Sequence, residues 1–190
     1  MQTRESGMPS EESWQSFFDA PAILRKLGLS QACRDVVEFG CGYGTFTIPA
    51  ARTVRGTVYA IDIAPDMLAA TQAKVEQAGL TNVQVVERDF AVECTGLCNG
   101  CIDFAMLFNI LHAEERMELL REAHRILAPG GTLAIVHWNY DTNTPRGPSL
   151  NIRPRPGQCR DWAEQVGFVT ADPGMIDLPP YHYGYAFIRP

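Results

Sequence analysis

The sequence predicts an α/β fold in which a parallel β-sheet is covered by helices on both faces. Short apolar runs typical of buried strands alternate with longer segments of helical period. A cluster of glycines begins where the first of these runs, DVVEFG at residues 35–40, ends. Strands that alternate with helices form right-handed βαβ units, which build a parallel sheet. With 190 residues, the chain is expected to form one domain over residues 1–190.

The first half of the chain predicts three strands and the helices between them. Apolar residues at near-helical spacing over residues 14–27 indicate one or two short helices, interrupted at Pro21, within an N-terminal helical cap over residues 1–34. DVVEFG is the first strand, and a helix over about residues 45–54 follows it. TVYAIDI is the second strand, PDMLAATQAKVEQAGL the next helix and VQVVERD the third strand.

The second half continues this alternation and then changes character. CIDFAMLFNIL is the fourth strand, an amphipathic helix over about residues 114–127 follows, PGG ends that helix, and TLAIVHWN is the fifth strand. Residues 140–156 contain four prolines and no clear period, which predicts a surface loop or lid. A helix near residues 158–166 precedes two strands, FVTADPGMIDL and YHYGYAFIRP, joined by a turn at residues 179–180.

Composition and charge exclude several classes of protein. The hydrophobic share of 46% and the charged share of 20% are typical of folded domains. A net charge of −6 argues against nucleic acid as a partner. The polar first residues lack the apolar core of a secretory signal, and no apolar run is long enough to span a bilayer. We therefore expect a cytoplasmic monomer or homodimer whose six cysteines are free thiols, ligands or catalytic groups rather than a disulfide framework.

The segment VVEFGCGYGTFT gives the clearest indication of a ligand. Gly40, Gly42 and Gly44 follow the first strand, where a ligand that approaches the backbone leaves no room for side chains. Asp62 ends the second strand, where doubly wound folds place a carboxylate on ribose hydroxyls. Together these positions predict an adenosine-containing ligand at the C-terminal edge of the sheet.

The pattern around the glycines differs from the nicotinamide fingerprint. GxGxxG counted from Gly40 requires a glycine at position 45, where the chain has Thr45. Glu38 places a negative charge beside the turn, which disfavours a pyrophosphate and suits a ligand with an ammonium group. A nicotinamide-dependent oxidoreductase is therefore a weaker alternative, and the chain also lacks the length for a separate substrate domain.

Five segments resemble, in order, the motifs of a known family. They resemble the first to fifth motifs of the class I S-adenosylmethionine-dependent methyltransferases. In this chain the five segments are VVEFGCGYG, YAIDIAPDML, VERDF, IDFAMLFNILHA and RILAPGGTLAIVHW. The resemblance covers roughly residues 35–139 and is to the small-molecule type, which includes the quinone-biosynthesis methyltransferases. It implies a Rossmann-like, doubly wound sheet of seven strands, mostly parallel with the last strand antiparallel, and helices on both faces.

The resemblance also implies S-adenosylmethionine as the cofactor, with S-adenosylhomocysteine as its product. Glu38, Gly40 and Gly42 would line the methionine part of the cofactor, with Cys41 in the same turn. Gly44 would allow the turn to pack. These five positions form the first half of the implied cofactor site.

The implied nucleoside half of the site lies after the second and third strands. Asp62 would hold the ribose diol, and Ile63 and Met67 would flank the adenine. Asp89 would accept a hydrogen bond from the adenine amino group, with Phe90 beside it.

Three residues are candidates for a part in the reaction. Methyl transfer from a sulfonium is an in-line displacement with a neutral leaving group, so positioning matters most, and a base matters only if the acceptor must lose a proton. The resemblance places Asn109 under the sulfonium, at the mouth of the acceptor pocket. His112, at the edge of the fourth strand, is a candidate base, with a helix-flanking role as the alternative. His137, in or at the end of the fifth strand, is a candidate for which a structural role is the more common outcome.

Two further groups of residues leave alternatives open. Arg146, Arg153, Arg155 and Arg160 lie in a segment without acidic residues, and they form either an anion-binding lid or a set of solvated side chains. The segment ECTGLCNGC has the CxxxCxxC spacing that radical S-adenosylmethionine enzymes use for an iron–sulfur cluster. However, the predicted fold is not theirs, and three thiols fall short of the four ligands of a closed zinc site.

We therefore expect no metal at these cysteines. Cys101 should begin a buried strand, while Cys94 and Cys98 should lie on a loop beside the adenine site. The leading hypothesis is a methyltransferase that acts on a small molecule. The alternatives are a non-catalytic S-adenosylmethionine-binding protein of the same fold and a thiol-dependent metalloid (arsenite) methyltransferase, although only Cys33 precedes the first motif.

Overall fold

A mixed β-sheet lies at the centre of residues 9–190, the part of the chain that the computed structural model describes. Its strands are β1 (Val36–Phe39), β2 (Val58–Asp62), β3 (Val83–Glu87), β4 (Ile102–Phe108), β5 (Leu127–Trp138), β6 (Val169–Thr170), β7 (Ile176–Leu178) and β8 (His182–Ile188). Their spatial order is β3-β2-β1-β4-β5-β8-β6, and β7 also pairs with β8. The first five strands are parallel and β8 is antiparallel to β5, so the predicted fold class is confirmed.

Helices cover both faces of this sheet, as the alternation of elements predicts. Within residues 9–190 they are α1 (Glu11–Gln15), α2 (Ala20–Lys26), α3 (Thr47–Thr53), α4 (Pro65–Gln77), α5 (Phe90–Glu93), α6 (Arg116–Ile126) and α7 (Pro156–Val166). Apolar residues of α2 and α3 pack into one core cluster, and those of α6 and α7 pack into another. None of the described helices is long and apolar enough to cross a membrane.

The central strands are apolar at nearly every position because both of their faces are covered. All four residues of β1 are buried, and one of them is the charged Glu38. Six of the seven residues of β4 are also buried. The C-terminal ends of β1 and β4 therefore project from a sheet centre that is covered on both faces.

The last strands differ in detail from the sequence prediction. FVTADPGMIDL forms two short strands, β6 and β7, instead of one. Thr170 of β6 pairs with Phe187 near one end of β8, and Leu178 of β7 pairs with His182 at the other end. Since β5 occupies the other edge of β8, the two short strands share one position in the sheet. The eight strands thus fill seven positions, with β8 as the antiparallel strand.

The PGG segment does not end α6, contrary to the sequence prediction. That helix already ends at Ile126, and Pro129, Gly130 and Gly131 lie within β5. Gly130 has φ 79° and its N–H donates to the Arg189 carbonyl at 2.7 Å, beside a register shift between β4 and β5. The short helix α5 was also not predicted from the sequence. It begins after Asp89, whose side chain accepts a hydrogen bond from the N–H of Ala91.

The cysteine-rich connection before β4 contains one disulfide, a pairing that the sequence analysis did not predict. Cys98 and Cys101 are bonded to each other, and Cys94 is a free, exposed cysteine. Cys101 is half-buried and precedes β4 rather than beginning it. In residues 9–190, no group of three or more His, Cys, Asp or Glu side chains is placed to hold a metal ion.

Glu122 of α6 anchors this connection to the helix. Its buried carboxylate accepts hydrogen bonds from the N–H and the hydroxyl of Thr95 at 2.7 and 2.5 Å. Arg125 donates to both of its oxygens at 2.8 and 2.7 Å, and also to the Leu97 carbonyl at 2.9 Å. Burial raises the pKa of Glu122, but the hydrogen bonds from Arg125 and Thr95 outweigh burial and lower this pKa to about 2.

Replacing Glu122 by Gln should lower the free energy of unfolding by about 1–3 kcal/mol at pH 7, since charge-assisted hydrogen bonds are lost. The folded-state pKa lies below the ordinary value of 4.5, so the stabilisation is present above that pH and is lost as the pH falls towards about 2. Urea unfolding of both proteins across this range should show the difference shrinking. Glu118→Gln, on the exposed face of the same helix, is the control. An equal loss in both variants would contradict the prediction.

Candidate active site

A cavity of about 190 Å³ opens at the C-terminal edge of β1, β2 and β4. Eleven of the thirteen sequence-predicted site residues line it: Glu38, Gly40, Cys41, Gly42, Asp62, Ile63, Met67, Asp89, Phe90, Asn109 and His112. Gly44 and His137 do not line it. Because the carboxyl ends of parallel strands meet at one edge of the sheet, residues distant in sequence converge there.

The glycine turn after β1 is held by the end of β2. Gly40, Gly42 and Gly44 have φ values of 77°, 53° and 71°, a region that favours glycine. The N–H of Gly42 donates to one carboxylate oxygen of Asp62 at 2.9 Å, and the Thr71 hydroxyl donates to the Gly42 carbonyl at 2.8 Å. A Cβ on Gly44 would lie 3.0 Å from the Thr71 hydroxyl oxygen. Gly44 therefore packs the turn against α4 while the other two glycines face the cavity.

Glu38 is a buried carboxylate at the cavity wall. It is 3% exposed, and the hydroxyl of Thr47 donates to it at 2.5 Å. Burial raises the pKa of Glu38 to about 8; the Thr47 hydrogen bond opposes this rise, and the nearby Asp62 adds to it. A cationic ligand group beside Glu38 would favour its charged form.

Two more carboxylates and several apolar side chains line the cavity at and after the ends of β2 and β3. The other oxygen of Asp62 accepts from the N–H of Ala64 at 3.0 Å, so both of its oxygens are bound to backbone. Ile63, Met67 and Phe90 also line the cavity, together with Asp89 at the end of the connection after β3. Two carboxylates with apolar side chains between them can hold the hydroxyls, the ring faces and the amino group of a nucleoside.

Asn109, directly after β4, is held in an unusual conformation. Its φ is 55°, which is uncommon outside glycine, and its N–H donates to the Val136 carbonyl at 2.7 Å. The side-chain nitrogen and oxygen are buried and have no hydrogen-bond partner among the described residues. A strained backbone that carries an unpaired amide at a cavity wall is characteristic of a functional position.

The two candidate histidines have different surroundings. His112 lines the cavity, whereas His137 is completely buried in β5. Their ring centroids are 5.6 Å apart, and His137 also stacks on Tyr183 at 6.4 Å. Burial lowers the pKa of His137 far below its ordinary value, and the nearby His112 and His182 contribute to this. His137 is therefore a neutral interior side chain behind His112.

Four aromatic residues of the cavity wall were missed by the sequence analysis. They are Trp14 of α1, Phe46 before α3, Phe108 at the end of β4 and Trp138 at the end of β5. The positions of Phe108 and Trp138 at strand ends could have signalled a role, since ligands bind at that edge. Trp14 could not have been found, because its place depends on how α1 packs.

The loop over residues 140–156 is organised by Arg153, which is buried rather than solvated. Arg153 is 7% exposed and donates to backbone carbonyls of the loop, including that of Pro148 at 2.7 and 2.9 Å and that of Asn139 at 2.9 Å. Arg146, Gly147 and Pro148 line the cavity. A Cβ on Gly147 would lie 2.8 Å from Trp138, so the loop rests directly on that ring.

The other two arginines and the cysteines lie away from the cavity lining. Arg155 covers the ring of Tyr140 at 3.9 Å, and Arg160 pairs with Asp161 at 3.0 Å. Cys94, Cys98 and Cys101 do not line the cavity. Buried Cys41 is the cysteine of the lining, and burial raises the pKa of its thiol.

Comparison with known proteins gives a consistent result. A family model described as "Methyltransferase domain" matches residues 36–131. The demethylmenaquinone methyltransferase of Listeria welshimeri is 30% identical over 125 residues, which are 65% of this chain and 51% of that protein. The N-demethylindolmycin N-methyltransferase of Streptomyces griseus is 22% identical over 167 residues, which are 86% of this chain and 70% of that protein. The chain spans about half the length of the demethylmenaquinone methyltransferase that it matches.

Solved structures share the fold. The crystal structure of an S-adenosylmethionine-dependent methyltransferase from Aquifex aeolicus matches with a TM-score of 0.82 at 24% identity, over 94% of this chain and 93% of that one.

Replacing Glu38 by Gln should make the ligand-free protein less sensitive to pH. The folded state retains a proton on Glu38 up to about pH 8, whereas the unfolded chain loses it near 4.5. Wild-type stability should therefore fall, relative to the variant, by up to about 1.4 kcal/mol per pH unit between these values. Urea unfolding across that range measures the difference, with Glu87→Gln at the exposed end of β3 as the control. A difference that stays constant with pH would contradict the prediction.

Proposed function

This chain belongs to the class I S-adenosylmethionine-dependent methyltransferases, and on that premise we propose that it transfers a methyl group to a small-molecule acceptor by in-line displacement. One observation carries the proposal: a single cavity joins the glycine turn, Glu38 and Asp62 to Asn109, His112 and a wall of aromatic rings. The first group suits an adenosine-containing cation, and the second suits an acceptor.

The residues present fit S-adenosylmethionine. Glu38, a buried carboxylate whose hydrogen bond within residues 9–190 comes from the neutral Thr47 hydroxyl, would bind the ammonium group of the methionine part. Asp62 would bind the ribose hydroxyls, and Asp89 the adenine amino group, with Ile63 and Met67 against the ring. When bound, the cofactor supplies a methyl group on a sulfonium, whose departure leaves a neutral thioether.

Asn109 and His112 are proposed to act on the acceptor. The unpaired Asn109 amide would orient the acceptor atom, because both of its polar atoms are buried beside the cavity. His112 would take the proton from an acceptor that carries one. His137, fully buried behind His112, is proposed to support that ring by packing against it.

Several observations support a small acceptor rather than a polymer. The wall of the cavity includes Trp14 and the loop residues Arg146, Gly147 and Pro148. The net charge of −6 disfavours nucleic acid. The relatives named above are named for demethylmenaquinone and N-demethylindolmycin, both small molecules. We further propose that residues 1–190 form one domain, with residues 1–34 as a cap and residues 140–156 as a lid.

Replacing Asp62 by Asn should weaken S-adenosylmethionine binding at least about tenfold, since a charged hydrogen bond to a ribose hydroxyl contributes on the order of 1.5–3 kcal/mol. Calorimetric titration measures the affinity, and release of S-adenosylhomocysteine with a panel of small acceptors measures turnover. Asp66→Asn, at an exposed position of α4, is the matched control. The proposal fails if the wild-type protein does not bind S-adenosylmethionine, or if it binds the cofactor but methylates no small acceptor.

A further inference from the structure

We propose that the acceptor is a planar aromatic compound with a ring hydroxyl, held by Trp14, Phe46, Phe108 and Trp138 and methylated at its oxygen. This inference rests on the proposed function, since it assigns the acceptor part of the same cavity. It goes further by naming the chemical class of the acceptor and the residues that select it.

The aromatic wall is built from four separate parts of the chain. Trp138 is 2% exposed, Phe46 3% and Phe108 8%, and all three nevertheless line the cavity. The ring centroids of Phe46 and Phe108 are 4.7 Å apart at 71°, and those of Trp14 and Trp138 are 6.4 Å apart at 61°. Each pair thus presents edges and faces together, the arrangement that aromatic rings prefer when they pack on a further ring.

The neighbours of these rings keep them in place. Phe18 contacts both Trp14 and Phe46, with centroids at 4.9 and 5.2 Å. Gly147 lies against Trp138 with no space for a side chain. The wall is therefore preorganised, which lowers the entropy cost of binding a rigid, flat molecule.

The polar group of the acceptor is selected by Asn109. Its amide offers an NH2 donor group and an oxygen acceptor, and neither has a partner among the described residues. A hydroxyl oxygen can accept a hydrogen bond from the Asn109 NH2 group while its own proton is donated to His112, whereas an aromatic amine chiefly donates and an unsubstituted ring does neither. Leaving the amide unpaired is costly, so the site should reject rings that lack a hydroxyl.

The reaction balances without a further reagent. The hydroxyl oxygen forms a bond to the methyl carbon while the bond between that carbon and the sulfonium sulfur breaks. The electron pair of the broken bond stays on sulfur, which becomes a neutral thioether. The proton of the hydroxyl passes to His112 and then to solvent.

The test compares 2-naphthol with three matched compounds: its fully saturated analogue, naphthalene and 2-naphthylamine. Calorimetry measures the binding of each to the full chain, with and without S-adenosylhomocysteine, and methyl transfer is followed with S-adenosylmethionine. We expect 2-naphthol to bind about tenfold more tightly than the saturated analogue and naphthalene, and to be methylated at oxygen.

Two variants and a control locate the effect. Trp14→Ala should weaken 2-naphthol binding about three- to tenfold, the range expected for the loss of one aromatic contact. Asn109→Gly keeps the positive φ and should abolish the preference for 2-naphthol over naphthalene. Trp162→Ala, on α7 under Arg116 and outside the cavity lining, should leave binding unchanged.

Three results would overturn the inference: equal or tighter binding of the saturated analogue, preferred methylation of 2-naphthylamine or of a cationic amine such as choline, and no binding of 2-naphthol. These results are distinct from failure of the proposed function. In that case S-adenosylmethionine would not bind or no small acceptor would be methylated, whereas the binding preference among the four compounds is measured without methyl transfer.

Discussion

The hydrogen bonds between Asp62 and the backbone around it are the constraint on which the site depends. One carboxylate oxygen accepts from the N–H of Gly42 and the other from the N–H of Ala64, so the end of β2 fixes the turn that leaves β1. This is possible because β1 and β2 are parallel neighbours that end at the same edge. Because the turn is fixed, the space beside it stays open as a cavity. This cavity is lined by Glu38, Gly40 and Gly42.

The cavity wall carries features that stability alone would not select. Glu38 is a carboxylate in the centre of the sheet, and Asn109 combines a positive φ with a buried, unpaired amide. Each of these costs folding free energy. The rigid strands β1 and β4, buried on both faces, can hold them. A ligand that brings a cation to Glu38 and a hydrogen-bonding group to Asn109 would offset both costs.

The half of the site beside the glycine turn was predictable because its residues lie at the ends of strands or just after them. The glycines and Asp62 could be found from the strand positions, whereas the role expected of Asp89 came from the resemblance to the family. His137 could not be placed in this way. Successive side chains of a strand point to opposite faces of the sheet, so an error of one residue in the strand position changes the predicted surroundings of His137 from the cavity to the core. The disulfide between Cys98 and Cys101 was missed because the assumed reducing compartment argued against it. Arg153 was expected in a lid or in solvent, and it became the centre of its own loop.

By itself, the sequence determined the α/β sheet, the order of its first five strands along the chain and the residues that follow them, because apolar periodicity and glycine positions are local properties. Only the tertiary structure decided that β6 and β7 share one sheet position and that Trp14 reaches the rings at the ends of β4 and β5. It also decided that the loop over residues 140–156 packs against the Trp138 ring at Gly147. These contacts join segments far apart in sequence, and their geometry depends on how whole elements pack, which no local pattern encodes.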